Sequence, residues 1–404
     1  MRKGATVVGL ALVAAACDPV GRLAAWAETS SWEGRVDGPA EPAPKRAQPA
    51  RPAGPSPRAI KTVPGASPTT PAGASQGAVG VQAPPAAVIA PVAPPVAPAA
   101  DPAPAAAAAS RDNISEYAKS RPHVDDPAYE AFDQGRYMTA LDLALKAAQK
   151  GDPQAHTLVG RIYSEGNGAP RDLKLAAQWY ARAAELGDPE GMFAYGLMLA
   201  QGEGMAKNYD KAARMFEAAA AYKHPLANYN LALLFLRGEG KPENPYRAFG
   251  HMLFAAEAGV AAAQYDLGTL YATGTGVDPN AFEAAKWIGK AAAAGYTEAQ
   301  VDYAVMLFQG RGVPPDQKAG AVLFRAAAEK GTPVAQNRLA RCYVHGAGVE
   351  ANLLEAAKWH LIAKAGGITD EALEKAIAKL SKADRAKAQK AADEWRERMQ
   401  IGFE

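Results

Sequence analysis

The sequence predicts an all-α protein, a right-handed α-solenoid of antiparallel helix pairs stacked one on the next, led by a disordered Pro/Ala-rich N-terminal segment. Three periodic series carry that expectation. Gly151, Gly187, Gly259, Gly295, Gly331 and Gly367 are separated by multiples of 36 residues. Gly160, Gly196, Ala232, Gly268, Ala304 and Ala340 step by 36 without a break. A Gly-x-Gly pair recurs at 166/168, 202/204, 238/240, 274/276, 310/312 and 346/348. A fixed period of about 20–50 residues marks stacked supersecondary units, none of which can bury its apolar face alone.

Taken in order, residues 1–27 read as an export signal. Arg2 and Lys3 give a basic start, and Ala5 to Ala16 form an apolar stretch of 12 residues. That is shorter than the ~20 a membrane-spanning helix needs. Two processing routes stay open. Ala14-Ala15-Ala16-Cys17 is similar to a bacterial lipobox, with Ala14 where Leu is usual, and makes Cys17 a candidate for lipidation. Ala25-Trp26-Ala27 is an Ala-x-Ala site that would place the cleavage after Ala27. Either route exports the protein to the periplasm or cell envelope, with a lipid anchor as its one link to a membrane.

Residues 28–112 are expected to stay disordered. Between Gly34 and Glu116 there is no Phe, Tyr or Trp, and 18 of the 31 prolines lie between Pro39 and Pro104. Such a stretch has nothing large to bury against its ordering entropy. Lys45, Arg46, Arg51, Arg58 and Lys61 make it basic, and suit either a soluble linker or a weak attraction to anionic cell-wall polymers. The rest of the chain holds 34 basic against 35 acidic residues. Nucleic-acid binders show a basic domain or stripe, so no nucleic-acid partner is expected.

Residues 113–151 contain a helical hairpin, Tyr129 to Lys150, in which Ala140, Leu143 and Ala147 fall 36 before Ala176, Trp179 and Ala183. It is expected to stack as an N-terminal cap. Six units follow over 152–367, each of two helices. The first helix opens at Asp152-Pro153, Asp188-Pro189 or Thr332-Pro333, a polar cap followed by proline at the first helical position. Its buried side carries the small series Ala155, Gly191, Ala227, Ala263, Ala299 and Ala335. Four residues on stand Val159, Tyr195, Leu231, Leu267, Tyr303 and Leu339. The first glycine of each Gly-x-Gly suits the left-handed conformation that ends a helix.

The second helix opens at Asp172, Asn208, Asn244, Asn280, Asp316 and Asn352. Apolar residues follow at amphipathic spacing, as in Ala176, Trp179, Tyr180, Ala183 and Ala184. Residues 368–404 supply C-terminal capping helices. One starts at Thr369 or Asp370, and another at Ser381-Lys382-Ala383-Asp384, with Ala388, Ala391, Ala392, Trp395 and Met399 as its apolar face.

The run from Ala263 to Val277, with Gly268, Tyr271, Gly274 and Gly276, then Glu283 to Trp287 and Lys290 to Gly295, resembles the Sel-1-like repeat, a 36-residue relative of the tetratricopeptide repeat. The resemblance covers about 216 residues in six copies. Lys223 departs from the pattern at the inter-repeat glycine, and His251 and Leu323 occupy the tryptophan position. Pro242 and Pro245 crowd the third loop, so the third unit is expected to be locally distorted.

Residues that carry chemistry are scarce. Cys17 and Cys342 are the only cysteines, so no disulfide framework exists, and Cys342 shares its position with Ile162, Met198, Leu234, Leu270 and Met306, as a small core side chain would. The chain lacks Ser-x-x-Lys, Ser-Asp-Asn and Lys-Thr-Gly. It also has no P-loop, His-Glu-x-x-His or Cys-x-x-Cys. His123, His156, His224, His251, His345 and His360 fall at unrelated positions of the repeat without ligand spacing. No catalytic residue, cofactor site or metal site is expected, and the protein is read as no enzyme.

In the tetratricopeptide superfamily the side of the first helix opposite its core lines a concave groove. The resemblance therefore assigns a partner-binding stripe to the positions equivalent to 157, 161 and 165. The candidates are Phe193, Leu197, Tyr229, Leu233, Arg237, Tyr265, Arg341 and His345, with Phe193, Tyr229 and Tyr265 as an aromatic ladder suited to a peptide or helix. The same rings could instead pack between adjacent helices. Relatives act in envelope signalling, polysaccharide regulation and export assemblies. The function implied is a non-enzymatic scaffold or adaptor of a bacterial envelope that binds a protein partner. The alternative is a structural or export-assembly protein associated with the cell wall or a polysaccharide through its tail.

Overall fold

The computed structural model describes residues 126–401. The expected export signal, the Cys17 lipidation site, His123 and the Pro/Ala-rich segment lie outside the described residues. Among those described there are sixteen helices and no strand. A hairpin, α1 (Pro127–Asp133) and α2 (Tyr137–Ala148), comes first. Six pairs follow: α3 (Pro153–Glu165) with α4 (Leu173–Glu185), α5 (Pro189–Gln201) with α6 (Tyr209–Ala221), and α7 (Pro225–Arg237) with α8 (Pro245–Glu257). The next are α9 (Ala261–Thr273) with α10 (Ala281–Ala293), α11 (Thr297–Gln309) with α12 (Gln317–Glu329), and α13 (Pro333–His345) with α14 (Leu353–Ala365). Last among the described elements are α15 (Glu371–Ile377) and α16 (Lys382–Ile401).

Local chemistry explains why these boundaries repeat. Each second helix of a repeat starts where Asp172, Asn208, Asn244, Asn280, Asp316 or Asn352 takes an extended backbone and its side-chain oxygen accepts from the first turn. Examples are Leu175 N–H at 2.9 Å and Lys211 N–H at 2.9 Å. Such a cap satisfies one of the four amides that a helix start leaves without a partner. Each first helix of a repeat ends on the first glycine of a Gly-x-Gly, Gly166 at φ 76° for instance, whose N–H returns to the carbonyl of Ile162. First-helix starts are less uniform. Asp152 and Asp188 cap as expected, but Thr332 makes no side-chain cap bond, and Pro333 alone favours the start of α13.

The second glycine of each pair has a different cause. A methyl group on Gly240, Gly276, Gly312 or Gly348 would collide with the backbone carbonyl of Tyr209, Pro245, Ala281 or Gln317. Each loop therefore seats its backbone on the first turn of the second helix of the preceding repeat. Gly168 lies in the same way against Tyr137 at the start of α2, so the N-terminal hairpin stacks in the register of the repeats.

The core runs between the two helices of each pair. Ring and branched side chains of the second helix lie flat on the small series of the first. Tyr180 would stand 2.9 Å from a Cβ on Gly160, and Phe216 2.7 Å from one on Gly196. Ala155, Ala227, Ala263, Ala299 and Ala335 are buried, as are Val159, Leu231, Leu267 and Leu339. Between repeats, Gln264, Gln300 and Gln336 donate to the carbonyls of Ala256, Ala292 and Ala328, a staple repeated three times and buried in the last two.

The expected distortion of the third unit does not occur. Helices α7 and α8 have 13 residues each, like the other ten repeat helices. Pro245 sits at the first turn of α8, where no helical N–H is needed. The departure is felt one step earlier. Lys223, standing in for the inter-repeat glycine, adopts φ 62°, the one non-glycine with positive φ among the described residues.

At the C-terminal end Asp370 caps α15, and Ser381 Oγ accepts from Asp384 N–H at the start of α16. Ala388 and Ala392 are buried, and Trp395 meets Trp359 edge to face at 5.8 Å.

Candidate functional site

The stripe assigned to a partner divides in two. Phe193 and Leu197 are only 3% and 5% exposed and belong to the central core cluster, so neither offers a contact surface. For Phe193 the reason is the direction in which position 157 of the repeat points. Its side chains lean onto the next repeat. Thr157 Oγ1 donates to Asp188 at 2.5 Å, the Phe193 ring stacks on His224 at 4.6 Å, and Asn337 donates to Asp370 at 3.0 Å.

Tyr229 and Tyr265 follow the same rule with more of their surface open. The Tyr229 hydroxyl donates to Asp266 Oδ2 at 2.9 Å, and Tyr265 donates to Asp302 Oδ2 at 2.8 Å. Each bond joins a first helix to the first helix one repeat on. Burial, then the neighbouring carboxylate, raises both phenols well above their ordinary value. Burial likewise raises the Asp302 carboxyl; the Tyr265 hydroxyl opposes this and Glu298 adds to it. The aromatic ladder of Phe193, Tyr229 and Tyr265 thus serves as joints between repeats, and two of its three rungs keep an open edge.

The remaining candidates sit as follows. Leu233 is half-buried, and Val301 and Val305 take the equivalent stripe positions on α11. Tyr229, Leu233, Tyr265, Val301 and Val305 therefore come together on three successive first helices. Arg237 lies 3.8 Å from Glu239. Arg341 Nε lies 2.7 Å from Asp370 Oδ2 and pins the start of α15. His345 is exposed at the end of α13.

Asp266 and Asp302 did not emerge from the sequence as functional positions. A signal exists: both stand 37 residues after a tyrosine at the position of Thr157. Reading position by position hides it, because the pair is offset by one residue between repeats.

His156 and His251 do packing work. His156 lies 5.3 Å from Trp179, and His251 stacks on Phe235 at 5.8 Å while holding Asn228. Cys342 is 1% exposed, and burial pushes its thiol up to about 12, which fits a core side chain. Among the described residues no three of His, Cys, Asp and Glu gather to hold a metal, and no helix is long and apolar enough to cross a membrane.

With this geometry in hand, comparison with known proteins is specific. The Sel1 repeat model matches six times, at residues 153–188, 189–221, 225–260, 261–296, 297–332 and 333–368. A Sel1 repeat protein from Oxalobacter formigenes is similar at 28% identity, over 58% of this chain and 94% of that one, with a TM-score of 0.53. A protective antigen of uropathogenic Escherichia coli with the same repeat fold is 26% identical over 65% of this chain and 64% of its own, with a TM-score of 0.45. An immunity protein from Pseudomonas aeruginosa matches at 19% identity over 52% of this chain and 85% of that one, with a TM-score of 0.35. No curated protein matches the chain.

Proposed function

The chain belongs to the Sel1 repeat family, and from that premise we propose that it is a non-catalytic scaffold that holds a partner protein along its first helices. Sel1 repeat proteins are in general protein–protein interaction scaffolds. One observation supports the choice of surface. Tyr229, Leu233, Tyr265, Val301 and Val305 stay half exposed on three successive first helices, whereas the equivalent residues of α5 are buried. An apolar strip of that kind suits an extended or helical segment whose side chains dock at repeat spacing. Arg237 and Glu298 flank the strip and give it a polar rim.

The scaffold works in this reading as an exported protein of the bacterial envelope, where Cys17 or a cleavage after Ala27 sets the mature N-terminus. Affinity capture from solubilised envelope, beside a parallel capture on purified wall polymer, tests it. A defined protein should be retained by the full chain and lost with Leu233→Arg or Val305→Arg, variants that add charge at half-exposed positions and whose folding is checked by their melting. Retention on wall polymer with no protein captured would replace the reading with a polymer-binding one. Capture insensitive to both variants would move the surface elsewhere.

A further inference from the structure

The joint between the second and third repeats is built differently from those before it. In the first two repeats the residue that caps the first helix is an aspartate, Asp152 or Asp188, whose carboxylate oxygen accepts from the first turn. In the third that place is taken by His224, 1% exposed, whose Nδ1 stands 3.1 Å from Ala227 N. An amide N–H can only donate, so Nδ1 must accept and the ring hydrogen sits on Nε2. From there it donates to Glu190 Oε2, 3.0 Å away on α5 of the preceding repeat. The ring stacks at 4.6 Å on Phe193, also of α5. One imidazole thus caps its own helix with one nitrogen and holds the previous repeat with the other.

From this geometry we infer that His224 is a proton-operated joint, exchanging the cap of α7 for an ion pair with Glu190. Imidazoles take up a second proton in the mildly acidic range. A proton on Nδ1 faces the Ala227 N–H, donor against donor, and the cap bond is lost. The same proton gives the ring a charge beside Glu190, turning that hydrogen bond into a charge-assisted one. The ring carries both changes at once, so the first turn of α7 loosens while its hold on α5 tightens. Two of the candidate strip's residues, Tyr229 and Leu233, lie on α7, so the joint acts on the face proposed above without depending on it.

Other ionisable groups bear on the joint from each side. Glu190 comes from α5. Lys223 precedes the ring in the chain, with its backbone already at φ 62°. His251 on α8 bonds Asn228, whose amide donates to the His224 carbonyl. His251 is held below the ordinary imidazole value by burial and by Arg247, with Glu217 opposing.

The test is amide hydrogen exchange on the full chain at about pH 7.5 and about pH 5, corrected for intrinsic rates. Ala227 N–H is the reporter. Gly191 N–H is an internal control at the same place in the repeat, capped by Asp188 Oδ2 at 2.9 Å. Protection at Ala227 should fall about ten-fold or more on acidification while Gly191 holds, the scale of one lost hydrogen bond. His224→Asn, which supplies a cap that does not titrate, should abolish the difference. Glu190→Gln should make the melting temperature more acid-sensitive than in the wild type, because the compensating ion pair is gone. Equal behaviour of Ala227 and Gly191 in the wild-type chain would overturn the inference, whether or not the variants fold. So would an unchanged Ala227 response in His224→Asn.

Discussion

Replacing Lys223 with glycine should stabilise the protein. Six equivalent positions carry glycine at φ between 84° and 92°, from Gly151 to Gly367. Lys223 alone meets the same turn with a side chain, at φ 62°. A left-handed conformation costs an L-residue roughly 1–2 kcal/mol, and the exposed side chain does not recover that by burial. Glycine removes this strain but gives the unfolded chain more freedom, worth roughly 0.4–1 kcal/mol against folding. The difference leaves a gain of about 0.5–1 kcal/mol. For a folded region of this size it should raise the melting midpoint by about 2–4 °C per kcal/mol. Solenoids melt by repeats rather than all at once, so the gain should be sharpest in hydrogen exchange at the end of α6 and the start of α7. Gly187→Ala, which imposes the strain on a normal joint, should lose a similar amount. If Lys223→Gly lowers stability while Gly187→Ala also lowers it, left-handed strain is not what Lys223 brings to the joint, and the reasoning fails.

Other consequences are as direct. Tyr265→Phe leaves the Asp302 carboxylate without its hydroxyl and should cost about 1–2 kcal/mol in urea unfolding; a double-mutant cycle with Asp302→Asn should recover part of it, and strict additivity would refute the pairing. Burial alone would raise the Asp370 carboxyl, but hydrogen bonds from Arg341, Asn337 and the Leu373 N–H pull it below the usual carboxylate value. Its contribution is therefore present above the ordinary aspartate range and lost as pH falls through its lowered value. Acid should accordingly free α15 before the repeats, as read by exchange at Leu373, and Asp370→Asn should remove that pH dependence. Cys342→Ala should cost about 1–2 kcal/mol through a small cavity, and the native thiol, held protonated by burial, should react with alkylating reagents only on unfolding.

The architecture was legible because every repeat places the same side-chain chemistry at the same step. Asn208 and Asn280 cap helices for the reason Asp172 does, and Gly202 ends one for the reason Gly166 does. Such local causes act within a few residues of chain and can be read there. The candidate site was legible only in part. A helical wheel separates core from surface on an isolated helix, and position 157 falls near the boundary. What decides it is the neighbour one repeat away: Asp188 for Thr157, His224 for Phe193, Asp266 for Tyr229. The wheel contains no neighbour, so Phe193 looked open and is closed. The predicted distortion around Pro245 failed for the opposite reason. Proline disturbs a helix interior, but Pro245 stands in the first turn, where it fits.

The seating of each Gly-x-Gly loop on the preceding repeat gives the stack a direction along the chain. A repeat lends its loop backward, to the second helix of the unit before it, and receives one from the unit after. Cut after any repeat, the chain would lose the loop that covers its last second helix, while a cut before a repeat would leave that unit's own second helix covered. Erosion from the two sides of a cut is therefore unequal. Beyond the sixth repeat α15 and α16 pack on its two helices instead, with Asp370 reaching back to Asn337 and Trp395 to Trp359. Copying or deleting one period of 36 residues leaves every loop with a seat. A chain built this way can change length by whole units without a new kind of joint.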